Sequence, residues 1–331
     1  MIDKDSYLIS IVVPLYNGER YIKNLINQFD KQTYNTLEVI FVDDGSKDST
    51  YEKLLKTIND SNRNFYKVVT QENSGQGAAR NRGIKEATGD YIMFVDQDDI
   101  IEQDYVEQMV NALISDNIDI VLSGYRHILP DGKIQRSVKL TNSEWCKYMN
   151  ITPWGKLYKR EFINKHNIEF LPVVLGEDIF FNSYCYSNNP CVVYTEYIGY
   201  SWVLNTTSVS NTIHKKVCDD TDVTTLFEKL FSIPKIKAMS SDRMFGYFLL
   251  KTGIFHLLYV SPVTEKKELA AYDKKVFEWL DNNVPYYDKH ISLIWPKGEK
   301  TSIRLVVFVY SIFHRFGIER VLLHLSKYIQ K

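Results

Sequence analysis

Three carboxylates stand in the segment Phe94-Val95-Asp96-Gln97-Asp98-Asp99, directly after the apolar run Tyr91 to Val95. In an open α/β sheet, ligands lie outside the carboxyl ends of the strands, so acids placed there face a crevice more often than a core. Carboxylates two residues apart can hold a hard divalent cation together with substrate phosphates, although a solvated acidic turn competes with that reading. Val42-Asp43-Asp44-Gly45-Ser46 sets two more acids at a strand end. An Asp there could accept a hydrogen bond from a base N–H, or could simply close an Asx-turn. The stretch Glu72-Asn73-Ser74-Gly75-Gln76-Gly77-Ala78-Ala79-Arg80-Asn81 couples a Gly-rich loop to a helix start. Backbone amides at such a start favour phosphate, and Arg80 could reinforce them. It matches neither the Walker pattern nor G-x-G-x-x-G.

These motifs need strands and helices that bring them to one edge. Over the first 125 residues, short β-branched runs alternate with amphipathic stretches, the pattern of a βαβ sheet. Leu8 to Val13 reads as a strand ended by Pro14, and Ile22, Leu25, Ile26 and Phe29 mark one face of the helix that follows. Leu37–Val42, Phe65–Val69 and Tyr91–Val95 are the next strands, with Ser49 to Glu52 as a capping box and a helix over Ala78–Ala87. A helix over Asp104–Ile114 and a strand over Ile118–Leu122 follow. From about residue 126 the pattern loosens into loops, with a second capping box at Thr141 to Glu144. Beyond about 219 it is helical only, which predicts a boundary near 215–222, with residues 1–218 and 219–331 as separate regions.

The ordered set Ile11-Val-Val-Pro14-Leu-Tyr16-Asn17, Val42-Asp-Asp44-Gly-Ser46, Glu72-Asn73-x-Gly75 with Ala79-Arg80-Asn81-x-Gly83, and Phe94-Val-Asp96-Gln-Asp98-Asp99 resembles the motif series of the family 2 inverting glycosyltransferases of the bacterial capsule and exopolysaccharide type. The resemblance implies a GT-A (Rossmann-like) α/β fold, a mixed, mostly parallel sheet flanked by helices, with a helical C-terminal region. It implies a UDP-sugar across the switch point, contacted by Pro14, Tyr16, Glu19, Asp44, Asn73, Gly75, Arg80 and Asp96. Tyr16 would stack on the base, Asp44 would accept from it, and Arg80 would help hold the nucleotide. Asp98 and Asp96 would hold Mn²⁺ or Mg²⁺ on the diphosphate. Leu175-Gly176-Glu177-Asp178-Ile179 is similar to the family's acidic pair, which makes Asp178 the catalytic base and Glu177 its orienting neighbour. Pro153-Trp154-Gly155-Lys156 also resembles a segment of such enzymes, Trp154 offering a sugar its face and Lys156 meeting a phosphate or hydroxyl. Where many relatives carry His or Arg after the acidic pair, this chain reads Ser201-Trp-Val-Leu-Asn205-Thr-Thr-Ser208, so a third contact to the metal or diphosphate is open; His214 is nearby in sequence.

Composition narrows the classes. The chain has 331 residues, 44% hydrophobic, with a formal charge of −1. Its dispersed Lys and Arg exclude a nucleic-acid reading. Cys146, Cys185, Cys191 and Cys218 lack metal-ligand spacing and are too few for a disulfide framework, which fits a reducing cytoplasm. The amino terminus shows no secretory signal, and no window approaches the roughly 20 apolar residues of a membrane span. Lys297 to Lys331 carries seven Lys and Arg against Glu299 and Glu319. Ile318, Val321, Leu322, Leu325 and Ile329 form one stripe there, suited to docking on the chain itself, on a second subunit or on an anionic membrane surface. The expected partners are a UDP-sugar donor and a glycan or lipid-linked acceptor, at the inner face of the membrane, with a homo-oligomer through the C-terminal helices as a further option. The rivals are a sugar nucleotidylyltransferase, which should carry a triphosphate loop after the first strand where Pro14-Leu-Tyr-Asn-Gly18 offers none, and a degenerate domain kept for binding.

Overall fold

The computed structural model describes residues 7–61, 63–140, 143–171, 175–205, 217, 221–285, 287 and 291–318. Two compact units divide the chain: Met1–Asn142 with Asn150–Val173 and Glu177–Asn205, and Ser143–Met149 with Val174–Gly176 and Thr206–Lys331. The expected boundary at 218/219 lies outside the described residues.

The first unit is a nine-stranded mixed sheet flanked by helices. Its strands are β1 (Ile9–Leu15), β2 (Leu37–Asp43), β3 (Tyr66–Thr70), β4 (Tyr91–Phe94), β5 (Ile100–Ile101), β6 (Ile120–Ile128), β7 (Ile134–Val138), β8 (Lys156–Lys159) and β9 (Val192–Val203). They run in the order β3-β2-β1-β4-β8-β6-β9-β5, with β7 against β6. The pairs β2–β3, β1–β2, β1–β4 and β6–β9 are parallel. Because β1 lies between β2 and β4, the winding reverses there, and the crevice of such a sheet opens at the carboxyl ends of these strands. Helix α1 (Ile22–Asp30) buries Ile22, Leu25, Ile26 and Phe29, the stripe read from the sequence. Helices α2 (Thr50–Asn59), α3 (Gln76–Glu86) and α4 (Tyr105–Asn111) follow their strands. The short α5 (Cys146–Met149) belongs to the second unit; α6 (Arg160–Lys165) and α7 (Glu177–Ser187) complete the first.

Four expectations are corrected. Pro14 does not end β1, which runs on to Leu15 with Pro14 opposite Val42. Pairing with β4 stops at Val12 and Phe94, so the missing N–H of Pro14 points to a side where no ladder remains to be broken. Ser49 makes no capping bond; Asp48 accepts from the Thr50 N–H at 3.0 Å and Glu19 from the Ser49 N–H at 3.2 Å. Helix α3 starts at Gln76 rather than Ala78, because Gly75 adopts φ 88° and supplies the turn into it. Finally, the stretch after residue 126 is not loop alone: β7, β8 and the twelve-residue β9 extend the sheet. Of the second capping box, Thr141 and Asn142 lie outside the described residues.

The second unit is helical, with α8 (Val223–Phe231), α9 (Pro234–Ala238), α10 (Arg243–Val260), α11 (Lys266–Asn283) and α12 (Thr301–Arg315). Asp222 caps α8 on the Thr224 N–H, and Asp242 caps α10 on the Phe245 N–H, each at 2.8 Å. Phe227 packs on Trp279, and Tyr310 donates to Asp273 at 2.6 Å, which ties α12 to α11. Residues 319–331, His214 and Cys218 lie outside the described residues; Cys146, Cys185 and Cys191 are unbridged. Among the described residues, no helix is long and apolar enough to cross a membrane.

Helix α3 lies so close to β1 that a Cβ on Gly83 would sit 2.2 Å from Cγ1 of Val12. Gly83→Ala should therefore cost about 1–3 kcal/mol by overpacking. A urea midpoint equal to that of the wild type would show that the contact has room to relax.

Candidate active site

The loops after β1, β2, β3 and β4 meet at the carboxyl edge of the sheet, and side chains from each tie it to the next. After β1, the half-exposed Tyr16 is fixed through its backbone: its N–H donates to Oε1 of Gln97 at 3.0 Å, and its carbonyl accepts from Nε2 of the same amide at 3.1 Å. Gln97, between Asp96 and Asp98, therefore locks the first loop to the fourth. Sequence reading passed over it, since only the acids around it carry an obvious chemistry.

After β2, Asp44 is buried and its carboxylate accepts from Gln71 Nε2 at 2.8 Å, the Ser74 N–H at 2.9 Å and the Gly75 N–H at 2.8 Å. Asn73 donates to the Asp44 carbonyl at 3.0 Å. The acceptor expected for a base N–H thus also shapes the Gly-rich loop. Glu19 accepts from the Ser49 N–H at the start of α2 through one carboxylate oxygen.

Arg80, one turn into α3, is 1% exposed. Its Nη2 lies 2.8 Å from Asp96 Oδ1 and its Nη1 2.9 Å from Asp178 Oδ1, with Glu177 at 3.8 Å. The guanidinium lies over the Phe170 ring at 5.3 Å, and that ring stacks on Phe181 at 3.9 Å. Asn81 holds the platform by bonding both the N–H and the carbonyl of Phe170 at 2.8 Å. Arg80, expected to help hold the nucleotide, has its terminal nitrogens on carboxylates that follow β4 and open α7.

Burial, together with the neighbouring Asp178 charge, lifts the Glu177 carboxyl well above the usual range. Burial also lifts Asp178, opposed by Arg80, reinforced by Asp96 and opposed again by Lys156. A carboxylate raised in this way suits proton abstraction near neutral pH. Asp98 is raised by burial and by Asp96, with a hydrogen bond from Asn205 and the charge of Arg20 working the other way. Asp99 is buried and structural: Tyr200 donates to it at 2.6 Å, the Val203 N–H reaches it at 2.9 Å, and the Tyr200 hydroxyl accepts from the Asp96 N–H at 3.2 Å. Tyr200 lies on β9, in a stretch that reads as loop, so its part was not legible.

Among the described residues, no group of three or more Asp, Glu, His or Cys side chains is arranged to hold a metal ion. Asp96 and Asp98 are hard oxygen donors whose mutual repulsion raises Asp98, and such a pair fits a dication that completes its shell with water and ligand phosphates.

Trp154 and Lys156 lie beneath the crevice. Trp154 is 4% exposed, with one face stacked on Tyr200 at 4.6 Å and Tyr125 edge-on at 5.0 Å, which leaves no open face for a sugar ring. Lys156 is fully buried and donates to the carbonyls of Asn150, at 2.8 Å, and Thr152. Burial pulls its pKa down to about 7, opposed by the Asp178 charge. Both expectations of ligand contact are corrected for one reason: the β8 segment is a core strand. Asn182 ties the same region together, donating to the Ile151 carbonyl at 2.8 Å and to the Asp178 carbonyl at 3.0 Å.

The family model "Glycosyl transferase family 2" matches residues 10–171. The glycosyltransferase GlyA of Streptococcus pneumoniae is 32% identical over 221 residues, which are 61% of this chain and 31% of that protein. A glycosyltransferase of Haemophilus influenzae is 32% identical over 179 residues, 53% of this chain and 70% of that one. The matches span from 31% to 64% of the lengths of the first three curated relatives. Among solved structures, residues 1–349 of S. aureus TarS in complex with UDP-GlcNAc share the fold at a TM-score of 0.67 and 21% identity, covering 93% of this chain and 92% of that one.

Replacing Arg80 with Met would leave Asp96, Glu177 and Asp178 without their buried counter-charge, at a cost of about 3–5 kcal/mol near neutral pH. The carboxyls would then rise further in the folded state than in the unfolded one. Folding would take up protons, and the deficit should grow as pH climbs from the ordinary carboxylate range toward 7. Urea unfolding of both proteins at pH 5 and pH 7 measures this, and a deficit that shrinks with rising pH would show the wrong sign.

Proposed function

The chain belongs to glycosyltransferase family 2, and from that membership we propose that it is an inverting glycosyltransferase. The reading has it move a hexose or N-acetylhexosamine from a UDP-sugar to a hydroxyl of a cell-surface glycan or lipid-linked acceptor, at the inner face of the membrane. The observation that carries it is the pair Asp96 and Asp178, from elements far apart in sequence, gathered on one buried guanidinium. The UDP-GlcNAc complex of the TarS neighbour supports the donor class.

In this reading Asp178 takes the proton of the acceptor hydroxyl while the oxygen bonds to the anomeric carbon and the bond to the diphosphate breaks, releasing UDP. Arg80 keeps Asp178 ionised, and its second contact fixes Asp178 relative to the β4 edge. Glu177, raised further, stays protonated at neutral pH and can donate to an acceptor oxygen. Tyr16, 41% exposed and held by Gln97, offers its ring to the base. Gly75 at the start of α3 brings backbone N–H groups near the phosphates. Mn²⁺ or Mg²⁺ held by Asp98 and Asp96 would stabilise the negative charge of the departing diphosphate. Residues 1–218 form the catalytic region in the same proposal, and residues 219–331 serve packing, oligomer or membrane contact.

UDP release from a panel of UDP-sugars, with and without Mn²⁺, tests the proposal, since donor binding without turnover for any acceptor would favour a binding protein. Asp178→Asn should lower transfer by about 10²–10⁴-fold, as loss of a general base does, while donor affinity holds. Asp98→Ala should weaken metal-dependent UDP binding. Should Asp178→Asn lose UDP affinity as severely as Asp98→Ala, the roles are misassigned.

The acidic limb of the pH–rate profile gives a further check. The base works ionised, so transfer rises with pH through the lifted pKa of Asp178. Lys156 favours the ionised form, so Lys156→Met should move that limb to higher pH. A limb that stays in place, in a protein with normal UDP affinity, would remove Lys156 from the electrostatics of the base.

A further inference from the structure

Among the described residues, helix α12 packs on its own unit through one face, and Arg304 ties its first turn to the carbonyls of Ile294 and Pro296. Val307 and Tyr310 are fully buried, and the His314 ring stacks on Phe277 at 3.6 Å. On the opposite side, Leu305, Ile312 and Phe316 recur at helical spacing and lie 48%, 37% and 72% exposed, with Ile294 in the preceding loop at 81%. A contiguous apolar stripe left in water marks an interaction surface. From Lys300 to Ile318 there is no Asp or Glu, while Lys297, Lys300 and Arg315 are exposed beside the stripe. Of the acids that meet this region, Glu299 is buried and paired with Lys251 at 2.8 Å, and Asp273 is buried against Tyr310 and His314 on the packed face.

We propose that this face of α12 is an interfacial helix that lies on an anionic lipid surface. Charge selects that occupant: an apolar stripe on a helix with exposed cations and no acid from Lys300 to Ile318 matches acyl chains beneath anionic headgroups, whereas a second copy of the same face would bring like charges together. The sequence of residues 319–331 continues the composition, with Arg320, Lys327 and Lys331 against Glu319. The proposal concerns the second unit and does not rest on the chemistry assigned to the first.

Flotation of the full chain with vesicles of phosphatidylcholine and phosphatidylglycerol in equal parts, against phosphatidylcholine alone, tests it. The protein should float with the anionic vesicles and be released by high salt. Leu305→Glu with Ile312→Glu should cut partitioning by about tenfold or more, and Lys297→Glu with Arg315→Glu by a similar factor, near 1 kcal/mol per cation. Unchanged unfolding midpoints would show that the variants are folded, and the second pair, on exposed positions, stands if the first misfolds. Absence of flotation overturns the proposal. So does flotation unaffected by either pair, or a dimer in light scattering that the apolar substitutions dissociate.

Discussion

The Arg80 guanidinium is almost wholly removed from water, and a cation so placed is tolerated only while anions stay with it. Asp96 and Asp178 meet that demand from opposite directions, one at the end of β4 and the other in the first turn of α7. Each is in turn held where it is by the same contact. The rest of the crevice follows from this constraint: Phe170 and Phe181 support the guanidinium, Asn81 fixes Phe170, and Tyr200 orders the chain that presents Asp96. Shifting α7 would separate opposite charges in a poorly solvated place, which is why Asp178 sits on a helix and not on a free loop.

Many motif residues prove to be scaffold. Asp44 shapes the Gly-rich loop, Asp99 joins the acidic segment to β9, and Gln97 locks the first loop to the fourth. Each uses a side-chain acceptor or amide to satisfy backbone groups at loops that cannot pair within the sheet, the general requirement for irregular chain near a core. Tyr16, Asp98, Glu177 and Asp178 are left with part of their surface open. A polar cluster at a strand end therefore divides into residues that build the crevice and residues that face it, and the sequence pattern does not distinguish them.

The parallel half of the sheet was legible because each of its strands is an apolar run followed by an amphipathic helix, and both periods are strong local signals. The other half was not. Strands β7 and β8 have five and four residues, and β9 mixes Thr, Glu and Ser among its aromatics, so no clean alternation survives. The same limit applies to the site. Grouping of the acids could be read from their places at strand ends, whereas the partner of Arg80, 98 residues away, is settled by tertiary contact. Trp154 and Lys156 were assigned to ligand on residue type, and only the position of β8 inside the sheet shows that both are buried.

The charge balance of the crevice carries one more consequence. Arg80 offsets one of the charges on Asp96, Glu177 and Asp178, and Asp98 and Asp99 add to the excess, so Glu177, Asp178, Asp98 and Asp99 rise because burial and neighbouring carboxylates both disfavour ionisation. Such a site relieves its excess either by holding a proton or by admitting a cation. In the proposed function Glu177 would serve the first and the Asp96–Asp98 pair the second. A diphosphate and a dication proposed for such a crevice would reinforce each other's affinity, and by linkage to the same extent in both directions. On that proposal, acid in excess of base would make occupancy of the donor site conditional on charge arriving with the ligand, while Asp178 stays tied to Arg80 whether or not that site is filled.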